Sequence, residues 1–507
     1  MPDDIAHGAA HARNRLEGPA WRRKGGLAAW AAWVLTCMPT GASAHAWNIP
    51  YYLPVPLWLY AYAATGTLMV SFMVLAFVSG TRVPEPGWCS GTRKRKALRI
   101  PASIVHAAQI ASAAFVALLI VAGIAGTANP FLNLAMSGFW VWFYLGSLYV
   151  SAILGDVYAF TNPLALLLRI AARCFSVLER GRYRYPPRLA SWPALGGYIA
   201  LIALELFGAG RPRDVGLFLV AYVAYALIGA FCFGRERWIA HFDTFGTLCR
   251  LCAKLSPLKW RMSERHGVIV ELRNPMTDMS RAASAHTSIV ALLSFMLAST
   301  AYDGLRDTAP WNTFFWRRIY PHIVDLIPSL GKNYAFAAEL LLTWQWLAFA
   351  VVGVAYYLLF RGCCTLGAIS SRSASDGAAF SRRFCLILLP IAFFYNVCHY
   401  FTLFWDQGRQ IIPLVADPLG LGWRLLPVAA ADDQVSAAQA LINVGYIWHA
   451  QVLLILGGHI VSVMLTHAID VRSGEPGGRA IVGQLPLLVL TIVLTISGLW
   501  ILSLPLA

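Results

Sequence analysis

The sequence predicts an all-α, polytopic transmembrane bundle of about ten spans, and three observations predict it. Hydrophobic residues make up 58% of the 507 residues and charged residues only 13%, where a soluble domain carries about 25% charged residues. After residue 56 the apolar residues gather in ten runs, each near the ~20 residues that cross ~30 Å of hydrocarbon as a helix. Arginine and lysine crowd into every second gap between those runs. Backbone in hydrocarbon must satisfy its own hydrogen bonds, so a continuous apolar run reads as a helix and not a loop.

Residues 1–44 read first as a cleaved leader. Arg22, Arg23 and Lys24 form its basic region, Leu27 to Leu35 its apolar region, and Ala42-Ser43-Ala44 a small-x-small cleavage site. The alternative is an uncleaved anchor, but Pro39 and Gly41 end the apolar run too early for a full span. Cleavage after Ala44 makes His45 the first mature residue, whose imidazole and α-amine are two metal donors.

Residues 45–507 then form a single transmembrane domain, with spans at 57–79, 102–127, 135–155, 193–208, 214–233, 285–301, 336–360, 384–405, 444–467 and 481–504. The odd gaps hold 27 basic residues, among them Arg93, Lys94, Arg95 and Lys96 in the first and Arg382 and Arg383 in the seventh, while the even gaps hold eight. The positive-inside rule places the odd gaps in the cytoplasm and both chain ends outside. The net charge of +16 is thus a topology signal and a contact with anionic lipid, not a nucleic-acid surface.

The gaps carry further expectations. In 234–284, Trp238, Phe242, Phe245, Leu248, Leu251 and Leu255 recur at helical spacing among basic residues, which predicts an amphipathic helix lying on the inner leaflet. Cys249 and Cys252 lie there as a lone Cys-x-x-Cys, read as unpaired thiols and not as half of a zinc site. Two exterior loops, 302–335 and 406–443, are long and rich in aromatic residues and proline, lengths at which loops are often functional. For most of those aromatics an interfacial belt is the plainer account. No internal repeat is visible, which argues against an inverted-repeat transporter.

Chemistry must sit where ionisable residues interrupt the spans, since such residues are costly in hydrocarbon. No Gly-x-Ser-x-Gly, Walker loop or His-Glu-x-x-His is present. His399 lies about 9 Å below the outer end of span eight and His449 about 8 Å below that of span nine, which puts both imidazoles at one level. With His45 and Asp303 they would make three nitrogens and a carboxylate, the donor set of a divalent metal site with an open water position. His459 lies some 15 Å deeper, as a further ligand or part of an inner set. Asp303, Asp406 and Asp417 are the candidates for metal ligand or catalytic base, although Asp417, before Pro418, also suits a turn. Glu205 and Glu339 are partners at the outer ends or snorkelling carboxylates. Each histidine has a structural alternative, donating to a carbonyl across a packed interface, and Gly457-Gly458 beside His459 suggests close packing.

The stretch His45–Tyr60, His-Ala-Trp-Asn-Ile-Pro-Tyr-Tyr-Leu-Pro-Val-Pro-Leu-Trp-Leu-Tyr, resembles the opening of the bacterial membrane-bound fenitrothion hydrolase family. Tyr302-Asp303-Gly304, His399-Tyr400, Ala416-Asp417-Pro418-Leu419-Gly420 and Gly458-His459 add to the similarity, which is scattered over most of the chain from residue 45. The resemblance implies a multi-pass protein of the bacterial inner membrane that hydrolyses an apolar organophosphorus triester at the aryl P–O bond. A bound divalent metal would supply hydroxide for in-line attack, and the metal, or Arg317 and Arg318, would steady the developing charge. The rival expectation is a transporter or metal-handling protein in which His106, His286, His399, His449, His459 and Glu205 line a path across the bilayer. A hydrolase needs one clustered site; a pathway needs polar residues at graded depths.

Overall fold

Ten helices of the computed structural model are long and apolar enough to cross a membrane. The structure describes residues 55–80, 98–263, 267–282, 285–328, 333–373, 375–423, 425–427, 444–471 and 477–505. The leader, its cleavage site and His45 lie outside the described residues.

In chain order the elements are α1 (Leu57–Gly80), β1 (Leu98–Ile100), α2 (Ala102–Ala125), α3 (Leu134–Leu154), α4 (Pro163–Cys174), α5 (Trp192–Phe207), α6 (Pro212–Phe233), α7 (Arg235–His241) and α8 (Thr244–Cys252). There follow β2 (Leu258–Ser263), β3 (Gly267–Leu272), α9 (Thr287–Arg306), α10 (Ala309–Phe314), α11 (Tyr334–Ser370), α12 (Gly377–His399), α13 (Phe401–Arg409), α14 (Val444–Val471) and α15 (Gly477–Ser503). The protein is a multi-pass, all-α membrane bundle. Polar caps start the helices: Asn162 and Asn133 accept from backbone N–H groups at the heads of α4 and α3, and Thr308 from Trp311 at the head of α10. The middle of α3, Gly138–Gly146, is wound as a π-helix.

Hydrogen bonds between gaps sort them into the two faces that the charge alternation requires. β1, from the first gap, pairs antiparallel with β3, from the fifth, and β2 pairs on the other side of β3. Ala285 N–H donates to the Arg382 carbonyl, joining the fifth and seventh gaps. On the opposite face, Thr127 N–H donates to Leu419 O and Ala309 N–H to Pro505 O. Odd gaps meet odd gaps and even gaps meet even ones.

The fifth gap corrects an expectation. It does not lie as one amphipathic helix on the leaflet. The chain breaks at Asp243 into α7 and α8, and Trp238, Phe245 and Leu248 are fully buried in the bundle. The cause is Asp243 itself, which is wholly buried and accepts from the Tyr222 hydroxyl at 2.9 Å and the Asn162 amide at 2.6 Å. A buried carboxylate must be met by donors, and these donors pull the segment inward onto α4 and α6. Beyond α8 the chain leaves helix altogether for the β2–β3 hairpin.

Candidate active site

α5, α9 and α12 end on the same face, and each brings an ionisable side chain to that end. α9 carries Asp303 one turn before its end, and α12 closes on His399, where Tyr400 N–H still donates to Asn396 O. Arg306 ties α9 to α5: it donates to the Leu206 carbonyl and lies over the Phe207 ring at 5.5 Å. Glu205 is thereby held against the same cluster.

One oxygen is its centre. Asp303 Oδ2 lies 2.7 Å from His399 Nε2 and accepts from the Tyr400 hydroxyl at 3.0 Å. Tyr400 also hydrogen-bonds Glu205. The Asp303 side chain is 2% exposed and that of His399 17%, so the imidazole is the reachable edge of the pair. Gly304 keeps that edge open. A Cβ there would stand 3.6 Å from His399 Nδ1 and Cε1, and 2.9 Å from Ile501 of α15. Behind the cluster, the Tyr149 hydroxyl donates to Asn396 Oδ1 at 3.3 Å and the Tyr144 and Tyr198 hydroxyls meet at 3.4 Å.

An aromatic shelf adjoins the cluster. The Tyr302 hydroxyl donates to Gln345 O at 2.7 Å, and its ring meets Trp311 edge-on at 6.2 Å. Trp311 stacks on Trp344 at 5.6 Å, with Phe314 and Phe315 alongside. Both indole N–H groups are buried without a partner among the described residues. Phe314 and Trp316 stay exposed.

Asp303 and His399 are joined as the sequence leads one to expect, but His449, His459, Asp406 and Asp417 do not join them. His399 closes its helix, and the paired hydrogen bonds between Cys398 and Gln451 hold it near the level of His449, as the helix rise leads one to expect. His449 sits on the exposed side of α14 beside Tyr60, at 6.3 Å between rings. His459 is deep in the bundle, its Nδ1 2.7 Å from Ile455 O. Among the described residues, no three His, Cys, Asp or Glu side chains stand close enough to share a metal ion. His45, the remaining expected donor, lies outside the described residues. Asp406 lies on α13, 3.8 Å from Arg409, and burial pushes its carboxyl above the usual range. Asp417 is the turn former, accepting from Leu421 and Gly422 N–H at 3.0 and 2.7 Å. Of the rival path, His106 and His286 are exposed, and His286 serves as the cap of α9. Cys249 and Cys252 are buried free thiols, and burial pushes Cys249 up to about 12.

Tyr400 is the residue that sequence reasoning missed as a ligand of Asp303. Its one signal is adjacency to His399 at the point where span eight ends.

Together the ten spans and this polar cluster define a multi-pass membrane protein that joins a buried carboxylate to an imidazole at the ends of its spans. No protein-family profile, no curated protein and no solved structure matches the chain.

Proposed function

We propose that the chain is a hydrolase of the bacterial inner membrane that cleaves apolar organophosphorus triesters at the aryl P–O bond, at the exterior boundary of the bilayer. The observation that carries the reading is the buried Asp303 carboxylate holding His399 Nε2 at 2.7 Å while the imidazole edge stays open. Asp303, ionised, accepts the Nε2 proton and fixes the tautomer, leaving Nδ1 as the base. Water lying against Nδ1 gives up a proton to it as its oxygen bonds to phosphorus. The P–O bond to the aryl group breaks and the aryloxide departs. Asp303 stabilises the imidazolium, which returns its proton to solvent. The Tyr400 hydroxyl keeps Asp303 Oδ2 aimed, and the shelf of Trp311, Trp344 and Phe314 offers the apolar ester a surface at the depth where it partitions.

The test is nitrophenolate release from fenitrothion by purified protein in detergent or liposomes. Asp303→Asn and His399→Gln are each expected to cut the rate about a hundred- to ten-thousandfold, His449→Ala to leave it unchanged, and chelator to have no effect. Full activity in His399→Gln overturns the assignment. Loss on chelation returns the water-activating role to a metal.

A further inference from the structure

We propose that a buried polar face of α14 carries protons across the bilayer, with His459 as its station at mid-membrane. Gln451, His459, Ser462, Thr466 and Asp470 are all buried and recur at helical spacing on one stripe of α14. From Gln451 to Asp470 is about 28 Å along a helix, close to the ~30 Å of the hydrocarbon core. A polar stripe that long is costly in a membrane helix and is retained where it serves a path.

Both ends reach groups that exchange protons. At the exterior end Gln451 Nε2 donates to the Cys398 carbonyl at 3.0 Å and Cys398 Sγ lies 3.5 Å from Gln451 O, one residue from the His399–Asp303 pair. At the basic end Gln484 of α15 donates to Asp470 Oδ2 at 2.6 Å and lies 3.4 Å from His467 Nδ1. Arg383 reaches the Ile469 carbonyl there, bringing a cation to the inner mouth.

The middle points to a mobile ligand. His459 Nδ1 lies 2.7 Å from a carbonyl oxygen, which only accepts, so Nδ1 carries the hydrogen. That leaves Nε2 a bare acceptor, buried and without a partner among the described residues. Ser462 Oγ, one turn on, is in the same condition. A buried acceptor left unmet is costly, and an arriving proton meets it. The proton adds to Nε2 to give imidazolium and leaves from the same atom toward Ser462 and Thr466. Water completes the hydrogen-bonded file between the side chains. α14 is held close to α12 along this stretch: a Cβ at Gly458 would meet Phe394 Cβ at 2.8 Å and Pro390 O at 3.0 Å.

The experiment uses the full chain reconstituted into liposomes holding a pH-sensitive dye, with potassium and valinomycin clamping the voltage. After an imposed pH step, dye response is expected to exceed that of protein-free liposomes at least tenfold. His459→Phe and Asp470→Asn are expected to return it to the protein-free level while eluting as monodisperse protein. If His459→Phe does not fold, His459→Gln, which keeps a donor and the approximate size, is expected to lose the flux equally. A wild-type response no faster than empty liposomes, or an undiminished response in a folded His459 variant, overturns the proposal.

Discussion

At the scale of single residues, the protein separates carboxylates that face donors from those that face apolar neighbours, and Asp243 combines both. Burial holds its carboxyl above the usual range although Tyr222, Asn162 and the Gly246 N–H donate to it. A raised folded value means the folded state binds the proton more tightly than the unfolded chain does. Its stability contribution is therefore fully present below the unfolded value and is lost as pH rises through the folded one. In detergent, the Tm difference between wild type and Asp243→Asn is expected to shrink as pH falls toward 4; a difference that is flat with pH rejects this account. Asp303 was legible in the sequence because a carboxylate in a span is conspicuous whatever it touches. His449 was equally conspicuous but misplaced, since depth along a helix follows from residue number whereas the side of the helix it faces depends on the neighbours. Tyr400 carried no such signal, being one aromatic among many.

At the scale of elements, the spans were legible and the connections on the basic face were not. Apolar length alone specifies a span, but α7, α8 and the β2–β3 hairpin depend on partners distant in sequence, such as Asn162 and Tyr222 for Asp243. The turn into α7 shows the same dependence. Gly234 has φ +87° and Gly181 φ +75°, and a Cβ on Gly234 would meet the Glu179 and Arg180 carbonyls at 2.9 and 3.0 Å. The two glycines let the stretch after Gly181 dock on the end of α6, where Arg182 and Tyr183 N–H donate to Phe231 and Cys232 carbonyls. Gly234→Ala is expected to cost about 1–3 kcal/mol, read as a lowered Tm in detergent. An unchanged Tm would show that this turn is free to rearrange.

At the scale of the whole molecule, the alternation of basic gaps foretells which loops meet, because positive charge is retained on one side of the membrane regardless of the local fold. The topology is open to direct test. Cys174 is exposed on the basic face and Trp423 on the other. An impermeant maleimide is expected to label Trp423→Cys in intact spheroplasts, and Cys174 only after lysis; the converse pattern inverts the assignment. α11 has a consequence at this scale. Its 37 residues extend about 55 Å, far beyond the ~30 Å that lipid tails require, so the surplus leans or projects like a mast through a deck. Because Gln345 on that mast is hydrogen-bonded by Tyr302, the neighbour of Asp303, a thicker bilayer that draws the mast upright also tugs on the Asp303–His399 pair. Under the proposed function, turnover is expected to differ between short- and long-tailed vesicles, which would make the protein a gauge of the lipid around it; turnover independent of acyl-chain length rejects the coupling.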